Sequence, residues 1–184
     1  MDFSKFRVYL RALELEDFKT TINWRKDDEI WGMLAGRKYF VSSEYEKKWV
    51  QDVIFNNKNN VTLAICLKGN DRHIGNTYLN DIDWFNRNAE SSTLIGEKDC
   101  WGKGYGKEAT ILRLYHGFFE LGLERIYSMQ LLTNIASIKM LEKCGYCNEG
   151  VLRNAVFKNG KYQDLNMMSV LKKDFEELLR NGSY

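Results

Sequence analysis

Glycine occupies every second position from Gly102 to Gly106, between a β-like run and a strongly periodic helical run. Glycines in this setting leave backbone N–H groups directed at the start of the helix, where the helix dipole favours an anion. The segment therefore predicts a phosphate-binding turn. A simple tight turn is the alternative, because glycine also serves turns that bind nothing.

Two well-known phosphate motifs were compared with this segment. A Walker motif would need glycine where Trp101 stands and a hydroxyl residue where Glu108 stands, so that motif is excluded. The spacing from Gly104 to Ala109 does fit the dinucleotide pattern G-x-G-x-x-G/A, whose acidic residue should end the next strand. Glu124 instead precedes that strand, which disfavours an NAD-binding unit.

Cysteines can form a redox centre or bind a metal, but the positions of the cysteines in this chain disfavour both. Cys144 and Cys147 form a C-x-x-C pair that follows the end of a helix, where the dipole disfavours a thiolate. Gly145 between them fits the C′ position of a Schellman motif. The two histidines, His73 and His116, lie far from this pair in sequence, so neither a redox centre nor a metal site is predicted.

Short runs rich in β-branched and aromatic residues predict the strands of the fold. The last two flank Asn159–Gly160, a dipeptide typical of a type I′ hairpin turn. The predicted strands cover residues 8–13, 61–67, 73–84, 89–97 and 126–132, followed by two strands from residue 150 onward.

Apolar residues at helical spacing predict the helices that alternate with these strands. Ser42 or Ser43 can cap the second helix, and Ser43 with Glu46 fits a capping box. Asn134 or Thr133 caps a later one. The predicted helices cover residues 16–30, 43–54 and 109–122, the segment from residue 135 to Gly145, and residues 172–180.

Composition limits the class of protein. The chain has 184 residues, 44% of them hydrophobic, which suits one domain over residues 1–184. Its 27 Lys and Arg against 25 Asp and Glu are spread along the chain, so no nucleic-acid partner is expected. No signal peptide is recognisable, and no apolar run approaches the roughly 18 residues of a membrane span. We expect a cytoplasmic protein without a membrane partner and with reduced thiols.

With these motifs in this order, the chain resembles the GNAT superfamily of N-acetyltransferases, whose pyrophosphate motif is Q/R-x-x-G-x-G/A at the start of the main helix. The segment from Trp101 to Gly106 matches it except at Trp101. With tryptophan at this position, the motif resembles that of the ribosomal-protein N-terminal acetyltransferases, a branch in which W-G-x-G-Y is common. Further matches to that branch are Ile95–Glu97, Lys107–Ala109, Asn134 with Ser137, Lys143–Tyr146, Glu149–Arg153, Phe157 and Asn159–Asp164.

The resemblance implies an α+β fold, an α/β sandwich whose mixed, twisted sheet of about seven strands carries helices on both faces. Its fourth and fifth strands, here residues 89–97 and 126–132, splay apart to admit the pantetheine arm of acetyl-CoA. No metal is implied. The residues expected to bind acetyl-CoA are Leu94, Ile95, Gly96, Trp101, Gly102, Lys103, Gly104, Tyr105, Gly106, Lys107, Asn134 and Ser137.

The implied reaction is direct attack of a primary amine on the thioester. Because an alkylamine with a pKa of about 10 is mostly protonated at pH 7, a base or water chain must remove its proton. Glu90 and Glu97 are the candidates, with a solvated strand carboxylate as the alternative for each. A backbone N–H around residues 94–96 would stabilise the oxyanion. Ser137 would protonate the departing thiolate or simply cap its helix, and Asn134 would contact pantetheine, cap that helix, or both.

Two departures from relatives bear on the chemistry and on the acceptor. Leu141 stands where other polyamine and protein acetyltransferases carry a tyrosine acid, so that route is closed. Val156 stands where some ribosomal-protein transferases carry a glutamate, which weakens the case for a ribosomal-protein substrate. Trp24–Asp27 and Tyr39–Phe40 fall in the connection that roofs the acceptor site in relatives. The acceptor is expected to be a protein N-terminus, polyamine, amino sugar or antibiotic. A CoA-binding module with reduced catalysis is the alternative function, and a homodimer is left open.

Overall fold

The computed structural model describes residues 3–36 and 40–182. Within them, seven strands form one mixed sheet in the order β1-β2-β3-β4-β5-β7-β6. The predicted architecture is thereby confirmed. The strands are β1 (Val8–Ala12), β2 (Val61–Leu67), β3 (His73–Asp83), β4 (Asn88–Ile95), β5 (Arg125–Leu131), β6 (Cys147–Lys158) and β7 (Lys161–Leu171). The α-helices are α1 (Phe18–Lys26), α2 (Asp28–Met33), α3 (Ser43–Phe55), α4 (Tyr105–Tyr115), α5 (Ile135–Glu142) and α6 (Lys172–Arg180).

The predicted splay lies between the parallel strands β4 and β5. They pair only over three residue positions, ending at Glu90 opposite Tyr127. The Ser91 hydroxyl then donates to the Tyr127 carbonyl at 3.0 Å. Beyond this point β4 remains paired with β3 and β5 with β7, and the two strands separate as far as Ile95 and Leu131. The sheet therefore opens a slot along the second half of both strands.

The packing of α4 positions everything around that slot. Its side chains Ile111 and Leu114 are fully buried with Leu79 of β3 and Ile126 of β5, and Phe118 from the following π-helical turn joins them. Full burial of each such side chain stabilises the fold by about 1.5–3 kcal/mol. This core holds α4 against the sheet and thus fixes its N-terminus beside the slot.

The first half of the chain differs from the prediction in two places. The helix expected over residues 16–30 is broken at Asp27, which is extended and accepts two N–H groups from the first turn of α2. The capping box expected of Ser43 and Glu46 is wrong, because Ser42 caps α3. Glu46 is instead buried, and its carboxylate pairs with the guanidinium of Arg25 in α1. Burial of a paired carboxylate overrode the local capping pattern.

Later elements follow the prediction more closely. The Tyr146 N–H donates to the Leu141 carbonyl at 3.1 Å, as a Schellman motif at the end of α5 requires. The turn at Asn159–Gly160 joins β6 to β7. The helix expected over residues 109–122 begins earlier, at Tyr105, and runs as α4 to Tyr115 and then as a π-helical turn to Glu120. Among the described residues, no helix has the length and apolar character to cross a membrane.

Candidate active site

The glycine turn before α4 has the geometry of an anion cradle. Gly104 is the N-cap of α4, with φ of 86°, a left-handed conformation that favours glycine. It has no side-chain cap, so the first-turn N–H groups of α4 remain available to a ligand. A methyl group at Gly106 would meet only Ile95 Cγ1, at 3.8 Å, so the concave side of the turn is open. These features fit a pyrophosphate.

Two side chains hold the turn in place from either side. The Trp101 indole N–H donates to the Ile95 carbonyl at 2.8 Å, which ties the turn to the end of β4. Arg7, just before β1, donates to the Lys103 carbonyl at 2.7 Å and pairs with Glu108 in the first turn of α4. Its guanidinium also lies over the Tyr105 ring, 4.7 Å from the centroid. The departure at Trp101 from the usual motif therefore has a structural role in this chain.

A cavity of about 620 Å³ passes through the splay and opens on the side of α1, α2 and α3. On β4 it is lined by residues 92–94, and on β5 by residues 128–130. The same cavity contains Glu90, Asn134 and Ser137. With Leu94 of β4, the structure thus brings four of the predicted site residues together at the slot that separates the strands.

Glu90 lies at the last paired position before the splay. Burial, and secondarily the negative charge of Asp81, raises the pKa of Glu90 above its ordinary value. Burial together with the Glu90 charge also raises the pKa of the neighbouring Tyr127. A half-buried carboxylate with a raised pKa has the properties required of a general base near neutral pH.

Glu97 occupies a different environment, outside the cavity lining. Its carboxylate accepts the Trp24 indole N–H at 2.9 Å and pairs with Arg72. Gly96 permits this arrangement, since a methyl group there would overlap the Trp24 ring at 2.1 Å. The structure therefore does not bring Glu97 together with Glu90.

The backbone around residues 94–96 has one amide that faces the slot. The Gly96 N–H donates to the Ile74 carbonyl of β3 at 2.9 Å. Because successive N–H groups of a strand point to opposite edges, the Ile95 N–H points away from β3, towards the splay. Leu94 lines the cavity beside it. Of the three predicted residues, Ile95 is the one whose amide is placed to meet an oxyanion.

Asn134 and Ser137 form the N-terminal turn of α5. The Asn134 side chain accepts the Ser137 backbone N–H at 3.1 Å and donates to the Met33 carbonyl at 3.0 Å. Asn134 is therefore the cap of the helix and also a link to α2. The Ser137 hydroxyl lines the cavity and makes no hydrogen bond with the rest of the described chain.

Arg113 of α4 is a site residue that the sequence analysis missed. It is 1% exposed, yet it lines the cavity where β4 and β5 separate. Its guanidinium donates to Thr77 Oγ1 at 2.9 Å, Thr93 Oγ1 at 2.6 Å, the Ser92 carbonyl at 2.9 Å and the Tyr146 hydroxyl at 3.0 Å. The sequence did contain a signal for it, because this arginine follows Ala109 by four residues and therefore lies on the helix face that was expected to be apolar.

Gln130 of β5 was also missed. Its side chain is 6% exposed and lines the cavity, and neither its oxygen nor its nitrogen has a hydrogen-bond partner among the described residues. A buried carboxamide without partners is costly, and a ligand with amide groups would satisfy it. Nothing in the sequence distinguished this glutamine from a surface residue.

The acceptor side of the cavity is bounded by the predicted roof. Arg25 of α1 pairs with Glu46 and lies over the rings of Trp31 and Trp49, at 5.4 and 5.1 Å from their centroids. Lys158, from the β6–β7 hairpin, donates to the carbonyls of residues 31, 34 and 36, and burial lowers its pKa. Phe40 is exposed, and Tyr39 lies outside the described residues.

The C-x-x-C pair combines a buried and an exposed cysteine. Cys144 is buried, and burial raises its pKa to about 12. Cys147 is exposed, and both thiols are free. The expectation that this pair does not form an activated thiolate agrees with the position of Cys144.

The family model, the related sequences and the solved structures that match this chain all indicate the same family. The family model described as acetyltransferase (GNAT) domain matches residues 7–146. An uncharacterised N-acetyltransferase of Bacillus licheniformis is 30% identical over 171 residues, 92% of this chain and 95% of the relative. A spermidine N(1)-acetyltransferase of Vibrio cholerae is 27% identical, covering 92% and 95% of the two chains. A crystal structure of spermidine N-acetyltransferase from Vibrio cholerae with CoA and spermine superimposes with a TM-score of 0.85 and 26% identity, covering 92% of this chain and 98% of that one.

The branch within the family is less defined. A putative ribosomal N-acetyltransferase of Bacillus subtilis is 33% identical, but over only 53% of each chain. The resemblance to the ribosomal-protein branch therefore stays a prediction.

Proposed function

The chain belongs to the GNAT acetyltransferase family, whose members use acetyl-CoA as co-substrate, and we propose that it transfers the acetyl group to a primary amine by direct attack on the thioester. The observation that carries the proposal is the cavity through the splay. It joins Glu90 on the acceptor side to Ser137 on the cofactor side. An amine and a thioester entering from opposite faces would meet between the two.

The chain's own residues fit acetyl-CoA at three points. The N–H groups of the uncapped turn at Gly104 would hold the pyrophosphate. The unpartnered carboxamide of Gln130 and the side chain of Asn134 would meet the amides of the pantetheine arm within the slot. The contacts at Gly104 and Gln130 would satisfy groups that have no partner among the described residues, whereas Asn134 would bind the ligand in addition to its bonds with Ser137 and Met33.

The proposed chemistry assigns one task to each group near the splay. Glu90, through a water, takes the proton that the amine nitrogen must lose before or during attack. The Ile95 backbone N–H donates to the carbonyl oxygen as it gains negative charge. The Ser137 hydroxyl protonates the thiolate that has left and regains a proton from solvent. Glu90 gives up to solvent the proton that it took from nitrogen, so the protons balance over the whole reaction.

The acceptor side favours an aliphatic amine that carries a further positive charge. Glu46 is fully buried there, and one of its oxygens, Oε1, accepts no hydrogen bond from any described residue. Asp52 and Glu90 line the same space with the rings of Trp31 and Trp49. Carboxylates and aromatic faces both attract alkylammonium groups. The polyamine-acetylating relatives support the same acceptor class.

The test is release of free thiol from acetyl-CoA in the presence of four acceptors: spermidine, a peptide with a free N-terminus, an amino sugar and an aminoglycoside. Mass spectrometry of each acceptor identifies the product. We expect spermidine to be acetylated with the highest kcat/KM. A higher value for the peptide would instead support the ribosomal-protein branch. Acetyl-CoA binding with no turnover on any amine would contradict the proposed reaction and favour a CoA-binding module.

A further inference from the structure

The guanidinium of Arg113 is buried without a counterion. All the groups that accept its hydrogen bonds are neutral: two threonine hydroxyls, one backbone carbonyl and the Tyr146 hydroxyl. Its Nε–H has no hydrogen-bond partner among the residues that the structure describes. Within residues 3–36 and 40–182, Arg113 forms no ion pair with a carboxylate.

The ionisable neighbours of Arg113 do not supply a negative charge near neutral pH. Burial raises the pKa of the Tyr146 phenol. Burial likewise raises the pKa of the Cys144 thiol to about 12, although the Arg113 charge opposes this shift. Both groups therefore stay neutral at pH 7, and the positive charge in this part of the protein is uncompensated.

An uncompensated buried cation destabilises a fold, since desolvation costs several kcal/mol that neutral hydrogen bonds recover only in part. Arg113 lines the cavity at the point where β4 and β5 diverge. The reaction proposed for this cavity creates negative charge, first on the carbonyl oxygen and then on sulfur. A fixed cation in a partly enclosed site stabilises such charge more strongly than water does.

The position of Leu141 makes this charge more important. Leu141 also lines the cavity, and its side chain has no proton to give. A thiolate leaving group can be assisted either by protonation or by a nearby positive charge. In this chain Arg113 of α4 would supply the second means, in addition to the proton that Ser137 gives to the sulfur afterwards.

We propose that Arg113 stabilises the negative charge that develops on the CoA sulfur, so that the carbon–sulfur bond breaks with the electron pair leaving as a largely unprotonated thiolate. As the amine nitrogen bonds to the acetyl carbon, the sulfur takes the bonding pair and is neutralised afterwards by a proton from Ser137 or water. The proton released by the amine passes to Glu90. The inference rests on the proposed function for its place in the reaction.

The decisive experiment measures the ionisation of the CoA thiol in the binary complex, where no acceptor is needed. Thiolate absorbance is titrated in the ultraviolet for CoA bound to the wild type and to Arg113→Met, with S-methyl-CoA complexes as blanks for protein thiols. We expect the bound thiol of Arg113→Met to ionise at a pH at least one unit higher, a tenfold change in acid constant. Arg113→Lys, which keeps the charge, should lie between the two.

Thr77→Val is the matched control, because it removes a hydrogen bond from the same network and retains the guanidinium. It should leave the ionisation of the bound thiol unchanged. With the preferred amine, kcat of Arg113→Met should fall at least tenfold, while KM for acetyl-CoA changes less than about threefold. If Arg113→Met does not fold, Arg113→Gln replaces it.

An unchanged thiol ionisation in the charge-removing variant, or an equal shift in Thr77→Val, would overturn the inference. Because the titration needs only bound CoA, it remains decisive if no tested amine is acetylated. Failure of the proposed function and failure of the role of Arg113 are therefore distinguishable.

Discussion

The conformation of Gly104 allows a quantitative prediction about the pyrophosphate cradle. Its φ of 86° lies in the left-handed region, and a methyl group there would approach the Arg7 guanidinium to 3.2 Å. Alanine in that region costs about 1–2 kcal/mol, and for a chain of this size each kcal/mol lowers Tm by about 2–4 °C. Gly104→Ala should therefore lower Tm by roughly 2–8 °C.

Binding should suffer as well, because relief of this strain rotates the N–H groups of the turn away from the ligand. Loss of one hydrogen bond to a charged group costs about 1.5–3 kcal/mol, so the Kd for acetyl-CoA should rise roughly tenfold to a hundredfold. Isothermal titration calorimetry measures this change, and thermal unfolding followed by circular dichroism gives Tm.

Gly106→Ala is the matched control two residues away. Gly106 lies inside α4, its added methyl group would make an ordinary van der Waals contact with Ile95 Cγ1 at 3.8 Å, and alanine there stabilises a helix by about 0.5–1 kcal/mol. This variant should unfold at a slightly higher temperature and bind acetyl-CoA within about threefold of the wild type. Equal affinities for the two alanine variants would refute the assignment of the cradle.

Three further substitutions test the remaining groups. Glu90→Gln should lower kcat by about 10²- to 10⁴-fold. Since the folded-state pKa of Glu90 is raised, ionisation of Glu90 destabilises the fold once the pH exceeds its unfolded-state pKa. In urea unfolding, the free energy of unfolding of Glu90→Gln should therefore exceed that of the wild type at pH 7 and equal it below the unfolded-state pKa. A lower free energy of unfolding for the variant at pH 7 would contradict this. Ser137→Ala keeps the backbone N–H that Asn134 caps, so stability and acetyl-CoA affinity should hold while kcat falls, and an unchanged kcat would leave Ser137 without a catalytic role. Lys158→Met removes the hydrogen bonds to the carbonyls of residues 31, 34 and 36, so KM for the amine should rise about threefold to tenfold while KM for acetyl-CoA stays unchanged. The control is Lys161→Met, a substitution at an exposed lysine of the same hairpin. Equal effects of the two substitutions would contradict the role of Lys158.

Local patterns in the sequence were enough to predict the elements whose conformation is decided within a few residues. The glycine turn before α4, the Asn134 cap and the turn at Asn159–Gly160 are all of this kind. The splay was predictable only through resemblance to a family, because no sequence pattern in residues 89–97 or 126–132 indicates that the two strands separate.

Contacts between distant parts of the chain could not be predicted in this way. The hydrogen bond from Trp24 to Glu97 spans 73 positions, and it holds the Glu97 carboxylate against α1, outside the cavity lining. The contacts of Lys158 with the α2 segment span more than 120. Arg113 is buried because α4 packs against β3 and β4, where Thr77 and Ser92 accept its hydrogen bonds. Such positions follow from packing of the whole sheet rather than from local propensity.

The most direct test of the account is a crystal structure with CoA and the acetylated amine bound together. We expect the pyrophosphate on the N–H groups of residues 102–106, the CoA sulfur in the slot beside the Ile95 amide, and the product nitrogen within one water of the Glu90 carboxylate. A pyrophosphate bound away from the turn, or a product nitrogen with no path to Glu90, would contradict the proposed transfer.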